Sequence, residues 1–228
     1  MTRQLYELVG EDPARRFSPY CWRIRMALAH KGLEAEVVPW RFTEGNRLAF
    51  AGTSLVPVLV DGETVVHESS AIADYLDATY SSAPSLFHGD AAARRFTMAW
   101  TATVLHPAVV RLIVSDIPAV LGQEARSYFI ATREKRFGMS LAQVTAGREA
   151  ALPAFHAMLA PLRSVLEGQD FLGGSEPDYA DYAVFGAFQW ARCTSPFHLL
   201  APADAVHAWR ERMLDLFGGL ARNVPAFD

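Results

Sequence analysis

Cysteine is scarce: Cys21 and Cys193 are the only two in 228 residues. Two cysteines make no disulfide framework for a chain this long, so a reducing, cytoplasmic setting is expected. Positive charge is not in excess either. The chain has 21 Lys and Arg against 25 Asp and Glu, a formal net charge of −4. A nucleic-acid or anionic-membrane surface needs a basic patch, so neither partner is expected. The N-terminal MTRQLYELVGEDPARRF has no long apolar run before its charges, unlike a signal peptide. No stretch approaches roughly 18 uncharged apolar residues, so no membrane span is expected. The seven histidines form no close-spaced ligand pairs with cysteine or carboxylate, which argues against a metal site. Gly173-Gly174 lacks the lysine and spacing of a phosphate-binding loop.

What is present is ordinary globular composition, 51% hydrophobic and 20% charged, in a chain long enough to bury a full core. Gln4 to Val9 alternates apolar and polar residues and reads as a strand. Ser18-Pro19 then opens a helix that stops at Lys31-Gly32, since serine caps, proline suits the first helical position and glycine ends a helix. Ala35 to Trp40 reads as a second strand, and Thr43 as the cap of a short helix over Glu44 to Phe50. Val56 to Val60 and Glu63 to His67 read as two strands joined by an Asp61-Gly62 turn. Ser69-Ser70 starts a helix that runs to Tyr80. Strands alternating with helices predict an α/β layer with parallel pairing first and an antiparallel hairpin last.

Beyond Gly89 no strand pattern recurs. Helices are expected near Ala91–Leu121, Gln123–Arg136, Leu152–Glu167, Asp178–Arg192 and Ala203–Leu220, with Pro107 and Pro118 kinking or ending the first. The pattern therefore divides into residues 1–80, a linker at 81–89 that includes Ser81 to Pro84, and an all-helical part at 90–228.

Three segments carry candidate chemistry. A hydroxyl at Ser18 would sit where unpaired backbone N–H groups and the helix dipole make a positive field. A thiolate brought there would be stabilised, and Ser18 could donate to its sulfur; taken alone, Ser18 reads more readily as only a cap. Val56-Pro57 opens a core strand, where a proline is tolerated. A cis bond there would turn the Val56 main chain toward a peptide-like ligand, although only about 5–6% of such bonds are cis. Glu68 and Ser69, before and at a helix start, suit an amino-acid end carrying both charges, and also read as a cap with a nearby acid.

In their order along the chain these segments resemble the glutathione transferase superfamily. The resemblance rests on SPYCWRIRMALAHKGL (Ser18 to Leu33), VPVLV (Val56 to Val60), ESSAIADYL (Glu68 to Leu76) and PDYADY (Pro177 to Tyr182). It implies a thioredoxin-like α/β N-terminal domain joined to an all-α C-terminal domain, glutathione as co-substrate, and a homodimer. By the same resemblance Ser18 stabilises the glutathione thiolate and the Val56 main chain, beside Pro57, pairs with the cysteinyl part. Glu68 and Ser69 hold the γ-glutamyl end, and Arg41 or Arg47 reaches the glycyl carboxylate. The second substrate is expected between the domains, against Tyr20, Trp100, Thr103 and His106, with Phe129 and Arg133 nearby. His106 is either packed in the core or acts on a leaving group. Asp178 and Asp181 have the spacing of the family's capping box, a structural role.

A narrower likeness lies in REKRFG (Arg133 to Gly138), AGRE (Ala146 to Glu149) and Leu152-Pro153, which resemble the bacterial β-aryl etherases and their fungal-type relatives. It implies attack of the thiolate on a hydrophobic, aryl-ether-like electrophile. Two other activities stay open: an isomerase of the maleylacetoacetate type, which shares the C-W-R-x-R look, and a non-catalytic transferase-like binding module. A thiol–disulfide reductase would want cysteine rather than Ser18 at the helix start, and Cys21 lies a turn further on.

Overall fold

The computed structural model describes residues 3–227. Strand β1 (Arg3–Leu8) is followed by α1 (Pro19–His30), β2 (Glu36–Trp40), a 3₁₀ segment (Gly45–Ala51), β3 (Val58–Asp61), β4 (Thr64–His67) and α2 (Ser69–Thr79). The four strands form one sheet in the order β2-β1-β3-β4. β1 pairs parallel to β2, whereas β1–β3 and β3–β4 are antiparallel. Asp61 opposes Thr64 across the turn, which Gly62 makes with φ of 62°. This is the thioredoxin-like arrangement, and the expected parallel pair and closing hairpin are both present. Leu5, Val58 and Leu59 of the sheet are buried, as are Trp22, Ile24 and Met26 of α1.

The short helix near residue 45 differs in detail. Its first residue is capped by Glu44, not Thr43, and no side chain closes the cap. The Glu44 carboxylate instead accepts from the Arg41 backbone N–H and from the Arg47 side chain.

The remaining regular elements are helical: α3 (Ala91–Trp100), a π turn (Thr101–Leu105), α4 (His106–Ile113), a 3₁₀ turn (Ile117–Val120), α5 (Gln123–Phe137), α6 (Leu141–Val144), α7 (Arg148–Met158), α8 (Ala160–Leu166), α9 (Tyr179–Thr194) and α10 (Ala205–Gly219). Residues 91–113 form one continuous rod. By length and composition it is long and apolar enough to cross a bilayer, although Arg94, Arg95 and Arg111 interrupt it. Here it is a bundle helix, burying Leu105, Val109, Leu112 and Ile113. Pro107 does not end it, because the π turn precedes that proline and α4 restarts with Pro107 in its first turn. The rod stops before Pro118, which opens the 3₁₀ turn.

The helix expected over Leu152–Glu167 begins at Arg148 and splits at Leu159. Pro161 has no N–H for the carbonyl of residue 157, so the ladder breaks and α8 starts afresh. α10 is interrupted at Leu216–Gly218, where Phe217 and Gly218 both have positive φ.

α9 is the central element. Nearly every side chain on it is buried, and it packs closely along α1. The closest approach is at Gly186: a Cβ there would lie 2.4 Å from the Pro19 carbonyl oxygen and 3.3 Å from its Cα. Only glycine lets the two backbones meet, and the contact falls at the first residue of α1. Gly186→Ala is therefore expected to destabilise the fold by about 1–3 kcal/mol and to displace the start of α1. Chemical denaturation monitors the first effect; an unchanged midpoint would show that the helices can part without strain.

At the N-terminus of α9 the Asp178 carboxylate accepts from the backbone N–H groups of Ala180 and Asp181, and Asp181 accepts in return from that of Asp178. This is the capping box read in the sequence. Between the two structural halves, residues 81–90 carry no regular element but are fastened at both sides. The Leu86 N–H donates to Asp77 of α2, and its carbonyl accepts from the Tyr179 N–H of α9.

Candidate functional site

Ser18 precedes α1 in an extended conformation, and its Oγ accepts from the Cys21 N–H at 3.3 Å. That bond uses one lone pair. A hydroxyl also carries a proton to donate and a second lone pair, so the capping role and a donor role are compatible. Ser18 itself is buried, with 4% exposure.

Cys21 is also buried, and its thiol is pushed up to about 12, first by burial and then by the charge of Glu7, despite help from Ser18. A buried thiol held protonated at neutral pH is a poor nucleophile, which argues against Cys21 as the nucleophile of a reductase.

The segment before α2 is unusual. Glu68 has φ 69° and ψ 121° and makes no side-chain cap bond. A non-glycine residue at positive φ costs on the order of 1–3 kcal/mol and such positions gather at ligand sites. Glu68 is exposed and Ser69 buried. The Val56–Pro57 bond is cis, and the β1–β3 ladder begins only at Val58, leaving Val56 outside it. Arg41 lies after β2 with its guanidinium 4.0 Å from the Glu44 carboxylate.

Two residues beneath Ser69 escaped the sequence reading. Arg23 of α1 is 3% exposed and directs Nη1 toward Ser69 Oγ at 3.5 Å. Its Nε and Nη2 are buried and have no hydrogen-bond partner. Tyr179 of α9 donates its hydroxyl to the Ser69 carbonyl at 2.8 Å. Arg23 could have been found from the RIR run, two arginines inside an otherwise apolar helix. The other one, Arg25, pairs with buried Glu7 at 2.9 Å.

The residues expected around the second substrate separate into two groups. Tyr20 and His106 face each other, with His106 Nδ1 3.4 Å from the Tyr20 hydroxyl and the rings edge-on at 5.3 Å. The Arg23 guanidinium lies 4.8 Å from the Tyr20 ring centre. Burial and the charge of Arg23 pull His106 down to about 3, so it is neutral at physiological pH. Trp100 points elsewhere. It lines a groove of about 480 Å³ together with Phe96, Thr97, Leu162 and Val165. His106 lies six residues on, past the π turn, and is not among the residues that line this groove. Thr103 is exposed and its hydroxyl donates back to the Ala99 carbonyl.

An aromatic cluster begins at Phe17, the residue before Ser18. The Phe17 ring contacts that of Phe42 at 6.2 Å, and Phe42 in turn meets Tyr128 and Phe129 of α5 at 6.5 and 5.5 Å. In the Arg133–Arg136 charge run, Arg133 turns inward over Phe42 and Phe129, whereas Lys135 and Arg136 are exposed.

A thioredoxin-like sheet, a serine-capped α1 and a helical bundle centred on a doubly capped helix define the class. Residues 17–79 match the family model for the glutathione S-transferase N-terminal domain, and residues 91–209 match that for the C-terminal domain. The chain belongs to the glutathione S-transferase family. Glutathione S-transferase Z1 of Arabidopsis thaliana is 39% identical over 86 residues, which cover 34% of this chain and 39% of that protein. The match thus spans well under half of that relative. Glutathione S-transferase U17 of the same plant is 26% identical over 181 residues, 78% of this chain and 71% of that one. Among solved structures, glutathione transferase GSTFuA3 from Phanerochaete chrysosporium superposes with a TM-score of 0.76 at 25% identity, covering 96% of this chain and 92% of that one. A glutathione S-transferase of Ceriporiopsis subvermispora, solved in complex with glutathione, gives a TM-score of 0.80 at 21% identity over 99% of both chains.

Proposed function

We propose that the protein is an enzyme that activates glutathione at Ser18 and joins the glutathionyl group, through its sulfur, to a hydrophobic, aryl-ether-like electrophile. The observation that carries this reading is the start of α1: a serine hydroxyl whose oxygen accepts from a backbone N–H, at a helix N-terminus within the matched N-terminal domain. Fit to glutathione is supported by the segment around α2. Ser69 and the first N–H groups of α2 suit a carboxylate, the buried and unsatisfied Arg23 adds positive charge beneath them, and exposed Glu68 suits an ammonium. The Val56 main chain, outside the ladder, is free to pair with the cysteinyl unit, next to Pro57, and Arg41 is assigned to the glycyl carboxylate.

In the reaction the thiol loses its proton to solvent and the Ser18 hydroxyl donates to the resulting thiolate. The sulfur attacks carbon, a C–S bond forms, and the carbon–oxygen bond breaks with its electron pair leaving on the aryloxide, which takes a proton from water. The protein supplies orientation and a lowered thiol pKa. The etherase-like branch and a homodimeric state are part of this reading, and both follow from the resemblance of the sequence.

Calorimetric titration with glutathione tests it. Saturable one-site binding is expected, together with glutathione consumption in the presence of an aryl-ether electrophile. No heat of binding would favour the non-catalytic module; binding with turnover only of a cis-alkene diketo acid would favour the isomerase.

A further inference from the structure

We propose that Arg133 is a specificity residue that selects aromatic second substrates carrying a carboxylate. The inference rests on the reading that the electrophile reacts beside Ser18, and it adds the chemical class of that electrophile. The geometry is a short chain of contacts. Phe17 directly precedes Ser18 and touches Phe42, and Phe42 joins the α/β part to Tyr128 and Phe129 on α5. Tyr128 lies nearly parallel to Phe42, with an interplanar angle of 25°, and is 44% exposed. It leaves a solvent-facing ring surface against which a substrate ring can stack.

Arg133 completes this wall. Its guanidinium carbon lies 4.9 Å from the centre of Phe129 and 5.3 Å from that of Phe42. Two aromatic faces hold the planar group, so its N–H edges are what remain for a partner. Of its five N–H donors, one is used, from Nη1 to the Thr132 hydroxyl at 2.9 Å. Among the described residues no carboxylate lies within ion-pair distance of it. Burial works most against the cation, the Tyr128 phenol partly offsets this, and the like-signed Arg136 adds to it. A half-buried guanidinium without an acid is unusual, since buried charges are normally paired. By contrast, three half-buried arginines of the α/β part meet acids: Arg16 and Arg25 reach Glu7, and Arg3 reaches Asp61. An aromatic carboxylate satisfies both halves of the Arg133 environment. Its ring stacks at Phe42 and Tyr128, and its two oxygens take a forked pair of hydrogen bonds from the guanidinium.

The test compares two unreactive-scale probes of matched shape, 4-chloro-3-nitrobenzoate and 4-chloro-3-nitrobenzamide, binding to the full chain without glutathione. Titration is expected to show the benzoate at least about 10-fold tighter. Arg133→Gln is expected to erase that preference while leaving amide affinity within about 2-fold. Lys135→Gln, an exposed cation on the same helix, should leave the preference intact. Equal affinity of the wild type for the two probes would overturn the proposal. So would a preference that survives Arg133→Gln, or one lost equally in Lys135→Gln. Glutathione binding is measured separately on the same proteins. A carboxylate preference without glutathione binding would refute the transferase reading and leave the Arg133 site standing. Glutathione binding without the preference would do the reverse.

Discussion

Ser18→Ala lowers turnover with a saturating electrophile by about 10- to 100-fold, while the dissociation constant of glutathione changes by less than about 3-fold. The magnitude follows from the bond removed. A hydrogen bond to a charged group contributes about 1.5–3 kcal/mol, and about 1.4 kcal/mol is a factor of ten. The asymmetry between turnover and binding follows from where the charge appears. Glutathione binding is carried by groups along the whole tripeptide, whereas the Ser18 proton is directed at the sulfur alone. Loss of that donor raises the thiol pKa, so the acid limb of the pH–rate profile moves to higher pH. The capping bond is lost as well, from Ser18 Oγ to the Cys21 N–H, and costs about 1 kcal/mol of stability. Ser18→Gly separates the two effects, because glycine is a tolerable cap without a donor. It should restore most of the stability and none of the turnover. An alanine variant with wild-type turnover would assign the sulfur to backbone amides instead.

Asp181→Asn is expected to be the most damaging isosteric change in the bundle. The carboxylate is fully buried and accepts four hydrogen bonds. They come from the N–H groups of Leu172, Gly173 and Asp178 at 2.7, 2.9 and 3.1 Å and from the Trp209 indole at 2.8 Å. Asparagine has one acceptor oxygen, and its amide would point N–H against N–H. At least two buried donors are left unsatisfied, at about 1–3 kcal/mol each. A loss on the order of 3 kcal/mol or more is a large part of the stability of a domain.

The pH dependence adds a second readout. Burial pushes Asp181 up to about 6 in spite of its donors, against about 3.9 in an unfolded chain. The folded state therefore holds the proton more tightly, and this group's contribution to stability falls as pH rises from about 4 to about 6 and is level above. Urea denaturation across that range should show a declining component in the wild type that is missing in Asp181→Asn. A variant within about 1 kcal/mol of wild type would mean that the loop at Leu172 and Gly173 is not fastened through this carboxylate.

The fold was readable because local signals agreed with one another. Ser18-Pro19 and Lys31-Gly32 bracket α1 by capping chemistry alone, and Asp61-Gly62 fixes the hairpin. Asp178 with Asp181 marks the head of α9. Features that depend on tertiary contact were not readable. Nothing local distinguishes Gly186 from any glycine in a helix; its role appears only when the Pro19 carbonyl lies against it. The π turn at Thr101–Leu105 has no sequence signature, and Trp100 lines a groove whose lining residues do not include His106.

The candidate site was legible where the chemistry is carried by backbone ends, at Ser18, Val56-Pro57 and Glu68-Ser69. It was hidden where a long side chain crosses between elements. Arg23 reaches Ser69 across 46 residues, and Arg133 reaches Phe42 across the boundary between the α/β and helical parts. Arginine side chains snorkel or fold inward according to their surroundings, so a charge run reads as a solvated face until one member turns in.

A crystal structure of the protein with glutathione bound tests the central claim most directly. The account predicts the sulfur roughly 3–3.5 Å from the Ser18 hydroxyl, slightly longer than an oxygen pair, with the γ-glutamyl carboxylate at Ser69 above Arg23. A tripeptide bound with its sulfur turned away from the start of α1, and Ser18 bonded only to Cys21, would contradict it.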